Sequence, residues 1–148
     1  IESSVNELIK LESAKGLHQA QGIMNYQSRI DYTKDELTKM LKHIKDSGHS
    51  IAGYGAPTKS TTLMNHFELG SHFIDYIIDD NELKQGKYSP LLHIPIVSKE
   101  ELEKDSKPDF LIILAWNFSE SIIEKVKNEG YFKGSYIIPL PKPKIVNS

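Results

Sequence analysis

The chain has 148 residues, of which 39% are hydrophobic and 26% charged, a balance typical of one globular domain that buries its own core. Its net charge is −2 and its lysines are scattered, with Arg29 as the single arginine, which argues against a nucleic-acid-binding face. The absence of cysteine argues against disulfides, thiolate catalysis and cysteine zinc sites and favours a cytoplasmic location. No apolar run is long enough to predict a membrane span or a signal peptide.

The first third of the chain has helical periodicity. Apolar residues recur at helical spacing from residue 3 to about residue 26, with Gly16 and Gly22 as interruptions. A second helix is predicted from about Thr33 and ends at Gly48. We therefore assign residues 1–48 to an N-terminal helical lead. Because the chain begins with isoleucine and not methionine, we expect it to be a piece of a longer protein.

From residue 50 onward, short apolar runs alternate with helical segments. Strands are predicted at residues 50–54, 73–78, 94–97, 110–115 and 134–138, and helices at 58–69, 98–104 and 119–128. The run at 110–115 is nearly all apolar, which is typical of a parallel strand covered on both faces. The sequence thus predicts an α/β fold, a Rossmann-like three-layer sandwich with a mostly parallel sheet over residues 49–140, preceded by two N-terminal helices and followed by a proline-rich tail at 141–148.

A glycine-containing turn after the first strand is the strongest candidate for a binding site. Gly53 and Gly55 allow a sharp turn and a close backbone approach, and the helix that follows presents unpaired N–H groups that favour a phosphate. Lys59 adds a cation in the first helical turn. Thr58 stands where the dinucleotide fingerprint has its third glycine, so a turn that packs and binds nothing remains an alternative.

Polar and aromatic side chains follow two other predicted strands. Asp79 ends the second strand, where it would hold a ribose or, alternatively, cap the turn into Asn81. Trp116 would stack on a base or sugar or cover the core, and Asn117 would bind a ligand or cap the next helix. The histidines show no metal-ligand spacing, so no metal site is predicted.

These residues fall in ordered blocks that resemble the C-terminal domain of the SAM-dependent nucleotide-sugar C-methyltransferases. The similarity runs from roughly Ser28 to Pro139. The blocks are Gly53-Tyr54-Gly55-Ala56-Pro57-Thr58-Lys59, Leu63-Met64-Asn65, Ile74-Asp75-Tyr76 with Asp79, Lys84-Gln85-Gly86-Lys87-Tyr88, His93-Ile94-Pro95-Ile96, Pro108-Asp109 and Leu114-Ala115-Trp116-Asn117-Phe118. One block departs from the family pattern, which tends to carry Pro-Gly-Thr where this chain has Pro90-Leu91-Leu92.

The resemblance implies that this chain is one of several domains with different functions in a longer enzyme. Family members have an N-terminal zinc-binding region, a central SAM-binding domain that carries the catalytic tyrosine, histidine and glutamate, and this C-terminal domain. The nucleotide-linked deoxy-keto-sugar is held between the last two domains. On this resemblance the chain binds no cofactor itself, SAM and zinc belong to the missing regions, and the chain alone is inactive. Its partners would be the nucleotide-diphosphate sugar and the SAM-binding domain of the same polypeptide.

We expect the acceptor to be bound by residues at the strand ends and by residues of the blocks that match the family. They are Gly53, Tyr54, Gly55, Ala56, Pro57, Thr58, Lys59, Asp79, Lys84, Tyr88, His93, Trp116 and Asn117. No catalytic residue is predicted in this chain. Two other functions stay open at this stage: an NAD- or CoA-type nucleotide-binding module, and a non-catalytic interaction domain that closes the cleft of a partner.

Overall fold

The computed structural model describes residues 2–104 and 107–148. They form two compact units, residues up to 35 and residues 36–148, whereas the sequence suggests a boundary after residue 48. The elements of the fold are α1 (Glu2–Ala14), α2 (Ala20–Asp46), β1 (Ile51–Tyr54), α3 (Thr58–Phe67), β2 (Ile77–Ile78), β3 (Ile96–Val97), β4 (Phe110–Ile113), α4 (Ser119–Glu129), β5 (Ser135–Ile138) and β6 (Lys144–Val146). Short 3-10 helices cover Lys99–Glu103 and Trp116–Phe118. None of the described helices has the length and apolarity needed to cross a membrane.

The two N-terminal helices are present, but their boundary differs from the prediction. The chain leaves the helix after Ala14 and reverses through Gly16, whose φ of 64° lies in the left-handed region. Gly22 lies inside α2 and does not interrupt it. A Cβ at Gly22 would overlap the carbonyl oxygen of Gly16, so this glycine allows the preceding turn to lie against the helix. The predicted interruption at Gly16 is therefore confirmed, whereas the interruption at Gly22 and the start of the second helix near Thr33 were wrong, because α2 begins at Ala20.

The C-terminal part of α2 belongs to the second unit because its apolar stripe is buried there. Leu37 and Leu41 are fully buried and Ile44 nearly so, at the spacing of one helical face. Three side chains of α3, Leu63, Met64 and Phe67, are also buried. These two buried stripes account for the helical periodicity that follows Thr33 and for that of residues 58–69.

The second unit contains a six-stranded sheet in the order β3-β2-β1-β4-β5-β6. All pairs are parallel except β5 with β6, and Tyr54 of β1 stands opposite Ile78 of β2 and Ile113 of β4. The predicted mostly parallel α/β sheet with flanking helices is confirmed. The predicted second strand was too long, because the N–H groups of Phe73 and Ile74 both donate to the carbonyl of Gly70 in a turn.

One strand was not predicted at all. The sequence assigns residues 141–148 to a proline-rich tail, but Lys144–Val146 forms β6 and pairs antiparallel with β5. The tail therefore covers the edge of β5, which would otherwise present unpaired backbone groups. Its prolines precede the strand, and the Leu140–Pro141 peptide bond is cis.

The sheet is covered on the α4 side by one apolar cluster. Ala52 and Tyr54 of β1 alternate toward this side, where they meet Leu111 and Ile113 of β4 and Val126 of α4. The buried strands thus hold the β1 and β4 ends in fixed positions relative to each other.

Two glycines at the ends of α4 and β5 allow a matched test of this packing. A Cβ at Gly134 would overlap the carbonyl oxygen of Asp109, which accepts the Ser135 N–H at 3.0 Å. We expect Gly134→Ala to lower the free energy of unfolding by about 3 kcal/mol, the upper range for overpacking. Gly130→Ala should lower the free energy of unfolding by only about 1 kcal/mol. A Cβ at Gly130 would lie in open space, so the cost comes from the φ of 73°, which is unfavourable for a residue with a side chain. Urea denaturation of both variants measures this, and equal losses would contradict the steric account.

Candidate functional site

The strand order changes direction between β1 and β4, and a crevice is expected at the carboxyl ends of these two strands. The chain leaves β1 toward β2 and β3 on one side, and it crosses back to β4 and β5 on the other. Such a change of direction leaves a gap between the connections, and ligands of open α/β sheets bind there. Gly55 follows β1 and Ala115 follows β4, and a Cβ on Gly55 would lie 3.1 Å from that of Ala115. The glycine turn and the end of β4 therefore adjoin.

The two glycines of the turn have different roles. Gly55 has a φ of 82°, which only glycine adopts at little cost. Gly53 lies inside β1, and a Cβ there would come within 2.8 Å of a Leu114 methyl and 3.1 Å of Ile77. Close packing of neighbouring strands explains Gly53 without a ligand.

Most backbone donors of the turn are already engaged. The Gly55 N–H donates to the Ile78 carbonyl at 2.7 Å, and the Ala56 N–H donates to the Asp79 carboxylate at 2.6 Å. Pro57 has no N–H and precedes the first residue of α3 without a side-chain cap. In the first turn of α3 the Ser60 N–H donates to the Pro57 carbonyl at 2.9 Å, so Thr58 and Lys59 carry the N–H groups that a helix leaves without an internal partner. An anion would therefore bind at the start of α3 and not within the turn.

Asp79, at the end of β2, ties the turn to the next connection. Besides the Ala56 N–H, its carboxylate accepts the Asn81 N–H at 2.9 Å and the Lys84 ammonium at 3.0 Å. Burial opposes ionisation, but these hydrogen bonds outweigh it and hold the pKa of Asp79 below its usual value. The geometry supports the turn-capping alternative for Asp79, because the chain itself takes up most of its acceptor capacity.

Lys84 also contacts the turn on the side of β2. Its ammonium also donates to the Ala56 carbonyl at 2.9 Å, and the neighbouring Gln85 amide donates to the Asp79 carbonyl at 3.0 Å. The other two residues predicted on the β2–β3 connection, Tyr88 and His93, have exposed side chains. Lys84 is thus placed at the turn, where its positive charge is balanced by Asp79.

The departure from the family pattern also lies on the β2–β3 connection. Leu91 occupies the position where the family tends to carry glycine, and its φ is 65°. His93, two residues later, has a φ of 52°. Such backbone angles are strained for residues with a side chain, so this loop keeps the glycine-like conformation without the glycine.

On the other side of the turn stands an aromatic pair that holds a lysine. The Lys59 ammonium lies 4.7 Å from the centre of the Trp116 ring and 5.5 Å from that of Phe118. Trp116 is half-buried and Phe118 is exposed, within the short 3-10 helix that follows β4. The sequence analysis missed Phe118, although it follows the two predicted residues directly. Asn117 is exposed and does not cap α4, because Phe118 occupies the N-cap position.

The Tyr54 hydroxyl lies in a polar network with Asp80 and Tyr131. The Tyr54 ring is buried, and its hydroxyl donates to Asp80 at 3.2 Å, which in turn accepts the Lys125 ammonium at 2.7 Å. The Tyr131 hydroxyl lies 3.5 Å away. Burial, reinforced by Asp80, raises the pKa of Tyr54 to about 12, so this phenol stays protonated near neutral pH. It can therefore not serve as a phenolate base.

The described residues offer no group of three or more histidine, aspartate or glutamate side chains that could hold a metal ion. They also bring the predicted residues Gly55, Ala56, Lys59, Asp79 and Lys84 to one turn, with Trp116 beside it.

Comparison with known proteins assigns the chain to a family. A family model described as C-methyltransferase C-terminal domain matches residues 1–141. The chain belongs to this C-methyltransferase C-terminal domain family. The protein "C-methyltransferase NovU" of Streptomyces niveus is 30% identical to it over 148 residues. That alignment covers 100% of this chain but only 35% of NovU, so this C-methyltransferase C-terminal domain spans about a third of that relative's length.

The Asp79 carboxylate makes stability of the domain depend on pH in a defined direction. Because its pKa is lowered in the folded state, its contribution is present above the unfolded pKa of about 3.9 and is lost as the pH falls through the folded pKa. Asp79→Asn should lower the free energy of unfolding by about 2 kcal/mol at pH 7. Below about pH 4 the difference in free energy of unfolding between the variant and wild type, the gap, should become smaller. Urea denaturation between pH 7 and pH 3 measures this gap.

The matched control is Asp46→Asn, which removes an exposed carboxylate that is paired with Lys42 of the same helix. Its effect should stay within about 0.5 kcal/mol. A gap for Asp79→Asn that does not change with pH would show that the carboxylate charge does not hold the turn.

Proposed function

We propose that this domain binds the nucleotide diphosphate of a nucleotide-linked deoxy-keto-sugar and positions the sugar for SAM-dependent C-methylation within a longer enzyme. The observation that carries the proposal is the glycine turn at the β1–β4 crevice, with a lysine in the first turn of the helix that follows. Membership of the C-methyltransferase C-terminal domain family supports the reaction class.

The first turn of α3 has the chemistry that a diphosphate requires. Its N–H groups lie at the positive end of the helix dipole, and Pro57 provides no side chain that competes for them. Lys59 supplies the mobile positive charge. Lys84 contributes less to such a site, because its charge is already balanced by Asp79 at 3.0 Å.

The contribution of such a site to methylation is positional. In the proposed reaction a carbon next to the sugar ketone loses a proton and then receives the methyl group. Fixing the remote diphosphate holds that carbon in place, so binding energy is used to orient the reacting atoms. Proton removal is assigned to another region, because the resemblance places the catalytic tyrosine, histidine and glutamate in the central domain of the longer enzyme.

The residues of the turn do not fit SAM itself. The adenosine ribose of such a cofactor is usually held by an acidic residue at the end of the second strand. Here the Asp79 carboxylate at that position accepts hydrogen bonds from Ala56, Asn81 and Lys84. We therefore assign SAM, together with the zinc ion, to other regions of the longer enzyme.

A panel of nucleotides separates this proposal from a dinucleotide or CoA module and from an interaction domain. Thymidine diphosphate should stabilise the chain, by about 2.7 kcal/mol at 100 times its dissociation constant, whereas SAM, NAD and CoA should not. Thermal unfolding with each compound measures the shifts. Stabilisation by NAD or CoA would favour the cofactor module. No shift with any compound would favour an interaction domain and contradict the proposal.

Lys59→Ala tests whether the site is electrostatic. We expect a loss of about 1.5–3 kcal/mol in thymidine diphosphate binding, the value for a hydrogen bond to a charged group. The melting temperature without ligand should hardly change, because two effects of the substitution offset each other. The cation–π contact of Lys59 with Trp116 is lost, but so is the unfavourable interaction of a cation with the positive end of the α3 dipole. Calorimetry and thermal unfolding of the same samples provide both values.

The control for this variant is Lys133→Ala, which removes an exposed lysine between α4 and β5. It should leave nucleotide affinity unchanged. Unchanged affinity in Lys59→Ala as well would remove Lys59 from the site and leave only the helix N-terminus to bind the diphosphate.

A further inference from the structure

Lys59, Trp116 and Phe118 form a cluster beside the glycine turn. Phe118 is 63% exposed, although exposing a large apolar ring brings no gain in folding. The Lys59 ammonium lies over both rings, at 4.7 Å and 5.5 Å from their centres. We call these two rings the aromatic pair.

The two sides of the glycine turn differ in what they leave open. On the β2 side, Asp79, Lys84 and Gln85 hydrogen-bond to one another or to the turn. On the β4 side the nearest backbone belongs to Ala115, which has a small side chain, and the aromatic pair follows it. A nucleotide whose diphosphate lies at the start of α3 would therefore extend toward β4.

We propose that the aromatic pair stacks on the nucleobase of the nucleotide diphosphate and that Lys59 leaves the rings to contact the diphosphate. This inference rests on the proposed function. Every nucleobase presents a flat π-face, and stacking on exposed aromatic side chains is a common way to bind it. Without ligand, Lys59 covers the rings by a cation–π contact.

The exchange is favourable because the two contacts of Lys59 differ in strength. A cation–π contact at an exposed site is weaker than a charge-assisted hydrogen bond to a phosphate oxygen. Movement of the flexible lysine side chain therefore uncovers the rings at the same time as it neutralises the ligand. The lysine and the aromatic pair would thus act on different parts of one ligand.

Variants of Phe118 test the stacking directly. Phe118→Leu keeps an apolar side chain but removes the π-face, and it should weaken thymidine diphosphate binding about tenfold. Its affinity for inorganic pyrophosphate, measured by competition, should not change. Phe118→Tyr should bind like wild type. Tyr32→Ala serves as a control, because Tyr32 is 64% exposed on α2 and its loss should leave affinity unchanged.

Trp116 provides a direct signal, since it is the single tryptophan of the chain. Thymidine diphosphate should change its fluorescence at saturation, and Lys59→Ala should change the emission of the ligand-free protein. Lys59→Ala should also weaken pyrophosphate binding, which Phe118→Leu leaves intact. The two substitutions thus separate the diphosphate contact from the base contact.

Each alternative result has a defined meaning. Failure of the wild-type chain to bind thymidine diphosphate would overturn the proposed function and this inference together. Binding by wild type with equal affinity in Phe118→Leu, or without a fluorescence change, would overturn the stacking alone. A loss that appears only with the nucleotide sugar and not with thymidine diphosphate would show that the rings contact the sugar, which contradicts base stacking.

Discussion

The hydrogen bonds of the Asp79 carboxylate hold the candidate site together. They join the end of β2 to the backbone of the glycine turn after β1 and to the ammonium of Lys84. A buried carboxylate is costly unless its acceptors are satisfied, and here three donors from different positions satisfy them. The turn is thus held by a charged side chain from the neighbouring strand, in addition to its own glycine geometry.

This arrangement makes the two sides of the turn unequal. The β2 side is closed by polar contacts within the chain, whereas the β4 side presents Trp116 and Phe118 with a lysine over their rings. In a dinucleotide-binding enzyme the acidic residue after the second strand would be free for a ribose. Here it is engaged, so the same strand order is combined with a different distribution of open surface. The strand order alone therefore does not determine the chemistry of the site.

The strand order also supports the proposed positioning role. The crevice is formed by β1 and β4, whose apolar residues are buried at the centre of the sheet, so the groups that follow them are held by the core. Membership of the C-methyltransferase C-terminal domain family, together with the 35% coverage of NovU, is consistent with a part of a larger enzyme. A rigid anchor for one end of the substrate needs no catalytic group of its own.

The sequence by itself determined the α/β class, the buried strands β1 and β4, and the sharp turn at Gly55, because hydrophobic period and glycine conformation are local properties. It did not predict β6, since that strand exists only because β5 offers an edge to pair with. Nor did it predict that Gly22 continues a helix, which depends on the close approach of Gly16. Only the tertiary structure decided that Asp79 is bound by Ala56 and Lys84 and that Phe118 joins Trp116 around Lys59. The Ala56–Asp79 and Lys59–Phe118 contacts join residues that are distant in sequence, and only packing of the sheet brings them together.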